Sequence, residues 1–173
     1  MASLKAEIEQ QRPFSSVEEE ALLNLMRTAD CAQRRLQREI RGWGVTSTQY
    51  NALRILRGAQ PEGLTCSAIG SRMIAAEPDI TRLLGRLKVR KLIRQYHDQR
   101  DRRVLWTRIA PAGLRLLAEM DPIMNRAPIE FLGHMSAGEL AELIRLLELA
   151  RYRCGEAAAA DSGGEAPRFE QPA

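Results

Sequence analysis

Asp79-Ile80-Thr81-Arg82-Leu83-Leu84-Gly85-Arg86-Leu87, followed by Leu92 to His97, the tip Asp98-Gln99-Arg100-Asp101-Arg102-Arg103 and then Val104 to Ile109, is the stretch that decides how this chain folds. Ile80, Leu83, Leu84 and Leu87 recur at i, i+3, i+4 and i+7, the spacing of one apolar helix face. Asp79, Thr81, Arg82, Gly85, Arg86 and Lys88 fall on the other face. Pro78 suits a first helical position, so the spacing predicts a helix from Pro78 to about Arg90. The runs 92–97 and 104–109 are apolar and partly β-branched, and they flank a polar tip, so they read as two strands of a hairpin.

Working back from this stretch, Thr65 caps a short helix from Cys66 to about Arg72, with Ile69 inward, and a turn follows near Ile74 to Glu77. Ala59 to Gly63 reads as a Pro/Gly turn. Thr46 caps a helix that closes near Gly58 and turns Tyr50, Leu53, Ile55 and Leu56 inward. A long helix is predicted over 15–41. Ser15 or Ser16 caps it, Glu18, Glu19 and Glu20 favour its first turn, and Gly42 and Gly44 end it. Leu22, Leu23, Leu25, Met26, Ala29, Leu36 and Ile40 are its apolar positions.

Downstream, Pro111 starts a helix to about Met120, which Asp121-Pro122 is expected to interrupt or kink. Ser136 and Glu139 form a capping box for a last helix over 137–153, with the stripe Leu140, Leu143, Ile144 and Leu147. Two short helices followed by a basic hairpin is the order of a winged helix-turn-helix. The predicted fold is therefore mainly helical (α+β), a winged helix-turn-helix with long N- and C-terminal dimerisation helices. Its parts are an arm over 1–14, a dimerisation region over 15–45 and 111–153, a DNA-binding domain over 46–110, and a disordered acidic tail over 154–173.

Charge points the same way. The chain has 173 residues, about one domain's worth, and a net charge of +4. Ten cations lie between Arg82 and Arg108, opposed only by Asp98 and Asp101, so this segment holds +8 and the remainder −4. Such asymmetry is the footprint of a nucleic-acid binder. A solvated basic face is the other reading of a charge run.

Other chemistries find little support. No apolar run approaches the roughly 18 residues of a membrane span. Met1 to Arg12 carries Glu7 and Glu9 and has no apolar centre, so a signal peptide is not expected and the expected location is cytoplasmic. Cys31, Cys66 and Cys154 show neither metal-ligand spacing nor an even count. Cys66 begins a helix, where the dipole favours thiolate, yet all three cysteines are read as inert, with Cys154 exposed beside the tail. His97 and His134 stand outside any metal or hydrolytic motif, and no glycine-rich phosphate loop occurs. No catalytic residue, metal or cofactor is expected.

Four blocks, in register, resemble the MarR family of bacterial transcription regulators over roughly residues 15–153. Val45-Thr46-Ser47-Thr48-Gln49-Tyr50-Asn51-Ala52-Leu53 looks like the start of the family's second helix. Leu64-Thr65 through Ile69-Gly70 looks like the first helix of its helix-turn-helix. Asp79 to Leu87 resembles its recognition helix. Asp98 to Arg103, followed by Ile109-Ala110-Pro111-Ala112-Gly113, resembles its wing and the entry to the next helix. Ala110 departs from the pattern, standing where the family usually has a capping Thr or Ser.

Physics and resemblance imply one mechanism. The 78–90 helix presents its polar N-terminal part to the major groove, where each base pair shows a distinct donor–acceptor pattern. Arg82 is the candidate for a bidentate contact with guanine, Thr81 for a phosphate or a thymine methyl, and Arg86 for a backbone phosphate. Ser67, in the preceding helix, is counted with them. Asp79 either repels phosphate or acts as a selective acceptor, and both readings stay open. At the tip formed by Arg100, Asp101, Arg102 and Arg103, the resemblance places Arg103 in the minor groove, with Asp101 orienting it. Narrow A·T-rich grooves attract an inserted Arg.

The terminal helices carry more apolar positions than a small winged domain needs, so a homodimer on a pseudo-palindromic double-stranded operator is expected. The resemblance further implies a repressor released by a small aromatic or phenolic effector, with Arg41, Trp43, Tyr50 and Arg54 as candidate pocket residues. The alternative is a winged-helix module whose basic face meets an acidic protein. A methyltransferase fragment is disfavoured because no glycine-rich cofactor segment occurs.

Overall fold

The computed structural model describes residues 2–161, with side chains as far as Tyr152. The chain divides into two units between residues 129 and 130.

The first unit opens with α1 (Leu4–Glu7), a single turn capped by Ser3 in the stretch expected to be an arm, with Leu4 buried. Next comes α2 (Val17–Ile40), whose cap Ser16 accepts from the Glu19 amide at 3.1 Å. Only Ile40 of its apolar positions is buried; Leu22, Leu25 and Met26 face solvent. Gly42 and Gly44 follow the helix, both with positive φ.

α3 (Ser47–Gly58) begins with a reciprocal cap. Thr46 Oγ1 accepts from the Gln49 amide at 3.2 Å, and Gln49 Oε1 accepts from the Thr46 amide at 3.1 Å. The expected inward set holds, with Tyr50, Leu53 and Leu56 buried and Ile55 packed against the core.

A two-residue strand, β1 (Leu64–Thr65), then appears where no strand was expected. Glycine is required just before it. Gly63 has φ +82°, and a Cβ there would lie 2.5 Å from the Thr107 carbonyl oxygen. The short helix α4 (Cys66–Gly70) is capped by Thr65 and stops two residues before the expected Arg72.

α5 (Ile80–Val89) is the amphipathic helix that the sequence predicts, but it starts later than Pro78. Asp79 is its cap, and the carboxylate accepts from the Arg82 amide at 2.8 Å. A side-chain acceptor satisfies a free N–H, which Pro78 at the first helical position cannot do. The helix ends in a Schellman motif: the Lys91 amide reaches Lys88 O at 2.8 Å and the Leu92 amide reaches Leu87 O at 3.0 Å.

β2 (Ile93–His97) and β3 (Leu105–Ile109) form the hairpin. The sheet is antiparallel, in the order β1-β3-β2, with Ile93 opposite Ile109, His97 opposite Leu105, and Leu64 opposite Thr107.

α6 (Pro111–Leu132) runs on into the second unit. Of the two outcomes expected at Asp121-Pro122, an interruption does not occur: both Pro122 and Pro128 lie within the helix, which runs past the expected Met120. An internal proline costs about 3 kcal/mol. Leu117, Met120 and Met124 join the core of the first unit, at about 1.5–3 kcal/mol for each buried side chain, so packing outweighs the lost hydrogen bond. Arg57 on α3 also grips Asp121 through two hydrogen bonds, at 2.7 and 3.1 Å.

The second unit contains α7 (Ala137–Asp161). Ser136 and Glu139 cap it reciprocally, at 2.8 and 3.3 Å, as expected. The Ser136 amide and, next, its hydroxyl donate to the Glu139 carboxylate and hold it below its ordinary range. The helix runs eight residues past the expected 153, because Ala157 to Ala160 are strong helix formers. The expected tail therefore loses its start to the helix, and its remainder, 162–173, lies outside the described residues, as does the side chain of Cys154.

Candidate nucleic-acid interface

Leu83, Leu84 and Leu87 are buried in the core of the first unit. They fix the roll of α5, because turning the helix would expose three leucines at about 1.5–3 kcal/mol each. Thr81, Arg82 and Arg86 are thereby held in solvent. Arg82 and Arg86 border a cleft of about 190 Å³ with Thr46 and Gln49 from the start of α3 and with Asp79. Asp79 is thus an acceptor already committed to the helix backbone, whatever else it meets. Thr81 faces α4, with its hydroxyl 3.7 Å from the Cys66 sulfur. Ser67 is exposed one residue further on, its hydroxyl 3.2 Å from that of Thr65.

The wing tip is organised by a residue that the sequence reading passed over. Asp98 accepts from the Arg100 amide at 2.8 Å and the Asp101 amide at 3.1 Å, and from the Trp106 indole at 3.0 Å. These donors hold its carboxyl below the ordinary range, the Arg100 amide first. Asp101 accepts from the Arg103 amide at 2.9 Å, so it orients Arg103 through the backbone and not by a side-chain ion pair. His97 Nδ1 lies 2.7 Å from Arg102 O and closes the base of the tip. The signal was available, since an aspartate opening a polar turn is the usual acceptor for amides two and three residues on.

Two members of the basic run serve the fold. Arg90 donates to the Gly44 carbonyl. Arg108 donates to Glu62 O at 2.9 Å and lies over the Tyr96 ring, 4.6 Å from its centre. Tyr96 donates its hydroxyl to the same carbonyl at 2.7 Å. The side chains of Arg82, Arg86, Arg100, Arg102 and Arg103 have no partner among the described residues. The first unit therefore carries exposed arginines without internal partners both on α5 and on the wing tip.

The four candidate effector residues fare unequally. Tyr50 is 5% exposed and belongs to the core, and this burial raises the pKa of its hydroxyl. Arg54 is exposed, with its guanidinium 5.8 Å from the Tyr50 ring centre. Arg41 caps the end of α2, and Trp43 is partly buried against the core in the following turn. Tyr50 and Arg54 are brought together, while Arg41 and Trp43 sit on a separate segment of chain. Cys31 and Cys66 are free thiols of intermediate burial. Among the described residues, no cluster of His, Cys, Asp or Glu is placed to hold a metal ion, and no helix is long and apolar enough to cross a membrane.

No protein-family model matches the chain. It is similar to the transcriptional regulator HosA of Escherichia coli O111:H-, with 30% identity over 103 residues, spanning 60% of this chain and 74% of that protein. Among solved structures, it is similar to a MarR transcription factor from Planctomyces limnophilus, with 39% identity and a TM-score of 0.61, covering 79% of this chain and 99% of the other. A mutant MarR from E. coli, solved with operator DNA, shares the fold at 18% identity, with a TM-score of 0.67 and coverage of 86% and 99%.

Proposed function

Because this chain belongs to the MarR family of transcription regulators, we propose that it binds a pseudo-palindromic operator as a homodimer and acts as a ligand-responsive repressor. α5 enters the major groove, with Arg82 on guanine, Thr81 on a phosphate or a thymine methyl, and Arg86 on the backbone. Ser67 supports them from α4. The wing enters the adjacent minor groove through Arg103, flanked by Arg100 and Arg102. The observation that carries this reading is the pairing, within one unit, of a helix face and a hairpin tip whose arginine side chains have no internal partner. Exposed cations without internal acceptors are free to replace counterions on a polyanion.

The homodimer is supported by apolar surface left open on the long helices. Leu22 and Met26 on α2, and Ile144 and Leu149 on α7, are each more than half exposed. Leu22 and Met26 lie four residues apart on one face of α2, and exposed apolar surface of this kind marks an interaction site; a two-fold dimer sets two recognition helices about 34–36 Å apart, one DNA turn. A protein that works on operator DNA works where the DNA is, so the proposed location is the cytoplasm, at the nucleoid.

Release by a small aromatic or phenolic effector is proposed at Arg41, Trp43, Tyr50 and Arg54. The cation over the Tyr50 ring supports it, as an arrangement suited to an aromatic acid. The burial of Tyr50 means that such a ligand meets the ring edge or moves it.

An anisotropy titration with labelled duplex DNA tests the reading against an acidic protein partner. Saturable binding that weakens about 10³-fold or more between 50 and 200 mM salt, and that polyglutamate fails to displace, is the expected result. Displacement by polyglutamate at equal charge would favour the protein-binding module.

A further inference from the structure

Lys88, Lys91, Arg94 and Arg115 line a cleft of about 350 Å³ against Ala110 and Pro111 at the start of α6. All four side chains are exposed, and none has a partner among the described residues. Four like charges around one concavity repel each other, and a bound dianion relieves that repulsion. The cleft is also of the size that encloses small ligands.

Two further features of the chain favour an anion here. The first is the opening of α6. Leu114 N–H to Ala110 O, at 3.0 Å, is its first helical bond, so Ala110 occupies the cap position. Alanine offers no side-chain acceptor, and the positive end of a 22-residue helix borders the cleft without a side-chain cap. The second is Lys91. It sits at the left-handed position of the Schellman motif, with φ 58°, where glycine is the favoured residue. The chain holds a lysine where glycine would relieve strain, and that lysine lines the cleft. Strain retained by a fold clusters at functional positions.

We propose that this cleft is a second anion site, lined by none of the residues of α5 assigned to reading bases, and that it takes a phosphate group. Lys88 lies seven residues beyond Thr81, two turns along the same side of α5. The phosphate is therefore either a backbone phosphate of DNA beyond the bases that α5 reads or a free phosphate entering from solution. The first source rests on the proposed DNA binding and the second does not.

Calorimetry with inorganic phosphate at constant ionic strength, on the full chain, tests the free anion. The expected isotherm has one site per chain. It weakens at least tenfold in Lys91→Gly and in the double variant Arg94→Gln/Arg115→Gln, and it is kept in Arg82→Gln. Lys91→Gly is expected to melt at the same or a higher temperature, which separates loss of the site from loss of the fold. The salt dependence of duplex binding tests the other source. Its logarithmic slope should fall by about one for each phosphate contact removed. A changed isotherm assigns free phosphate, and a reduced slope without an isotherm assigns the DNA backbone. If the variants alter neither quantity, the site is overturned. A wild-type chain that binds phosphate but no DNA would bring down the DNA reading and leave the cleft.

Discussion

The carboxylate of Asp98 joins the two strands of the wing to its tip: it accepts from the indole of Trp106 at 3.0 Å while also accepting from the Arg100 and Asp101 amides. All three donors favour the ionised carboxylate, so the folded wing holds its pKa below the ordinary 3.8. The wing order that depends on Asp98 is therefore complete above the ordinary carboxylate range and is lost as pH falls through the depressed value. The Trp106 indole N–H resonance should shift in that acid window in the wild type and sit at its acid position at all pH values in Asp98→Ala. The same variant should weaken DNA binding with little change in melting temperature, since the wing tip lies outside the core. An indole signal indifferent to the substitution would contradict this role.

Arg103 and Arg82 should fail in different ways. Arg103→Ala is expected to lose about 1–3 kcal/mol of operator affinity, with the loss greatest on operators whose flanking minor groove is A·T-rich and narrow. Arg82→Ala is expected to lose a similar amount but also to relax discrimination at one base-pair position. Titrations against a panel of single-base operator variants check both. Unchanged affinity for either variant at matched salt removes that residue from the interface.

Arg57 and Asp121 form a two-bond contact between α3 and α6, with each side chain about one-third exposed. An ion pair with such geometry and partial screening is worth about 1–2 kcal/mol. Asp121→Ala should lower unfolding stability by that amount. A double-mutant cycle with Arg57→Ala should return most of it as coupling energy. Near-zero coupling would mean that packing alone carries α6 past Pro122.

The apolar positions left open on α2 predict a substitution that separates assembly from folding. Leu22→Glu/Met26→Glu places charge where both side chains are exposed in a single chain. The helical signal should persist while sedimentation shifts from dimer to monomer, and operator affinity should fall because a monomer reads only one half-site. A double variant that still sediments as a dimer would place the interface elsewhere.

Much of this was legible in the sequence, for reasons that can be named. Ile80, Leu83, Leu84 and Leu87 repeat with the helical period and lie on the inner side of α5. The strand runs on either side of 98–103 are apolar and partly β-branched, and they flank a tip too polar to bury. What escaped depended on partners far along the chain. β1 has two residues, too few to carry a period, and exists through its pairing with Thr107 and Trp106. Arg90 and Arg108 are indistinguishable in sequence from their neighbours without internal partners; their acceptors, Gly44 O and Glu62 O, lie 46 residues away. Pro122 reads as a helix breaker because its cost is local while the burial of Leu117, Met120 and Met124 is tertiary.

In the proposed complex, two copies of α5 and of the wing read a symmetric DNA site. Selection of duplex DNA from a random pool by the purified full chain tests it most directly. The expected result is enrichment of an inverted repeat whose half-sites are centred about 10 base pairs apart, lost when Arg82 or Arg103 is replaced by alanine. A pool that stays random, or one that converges on a single asymmetric half-site, would contradict it.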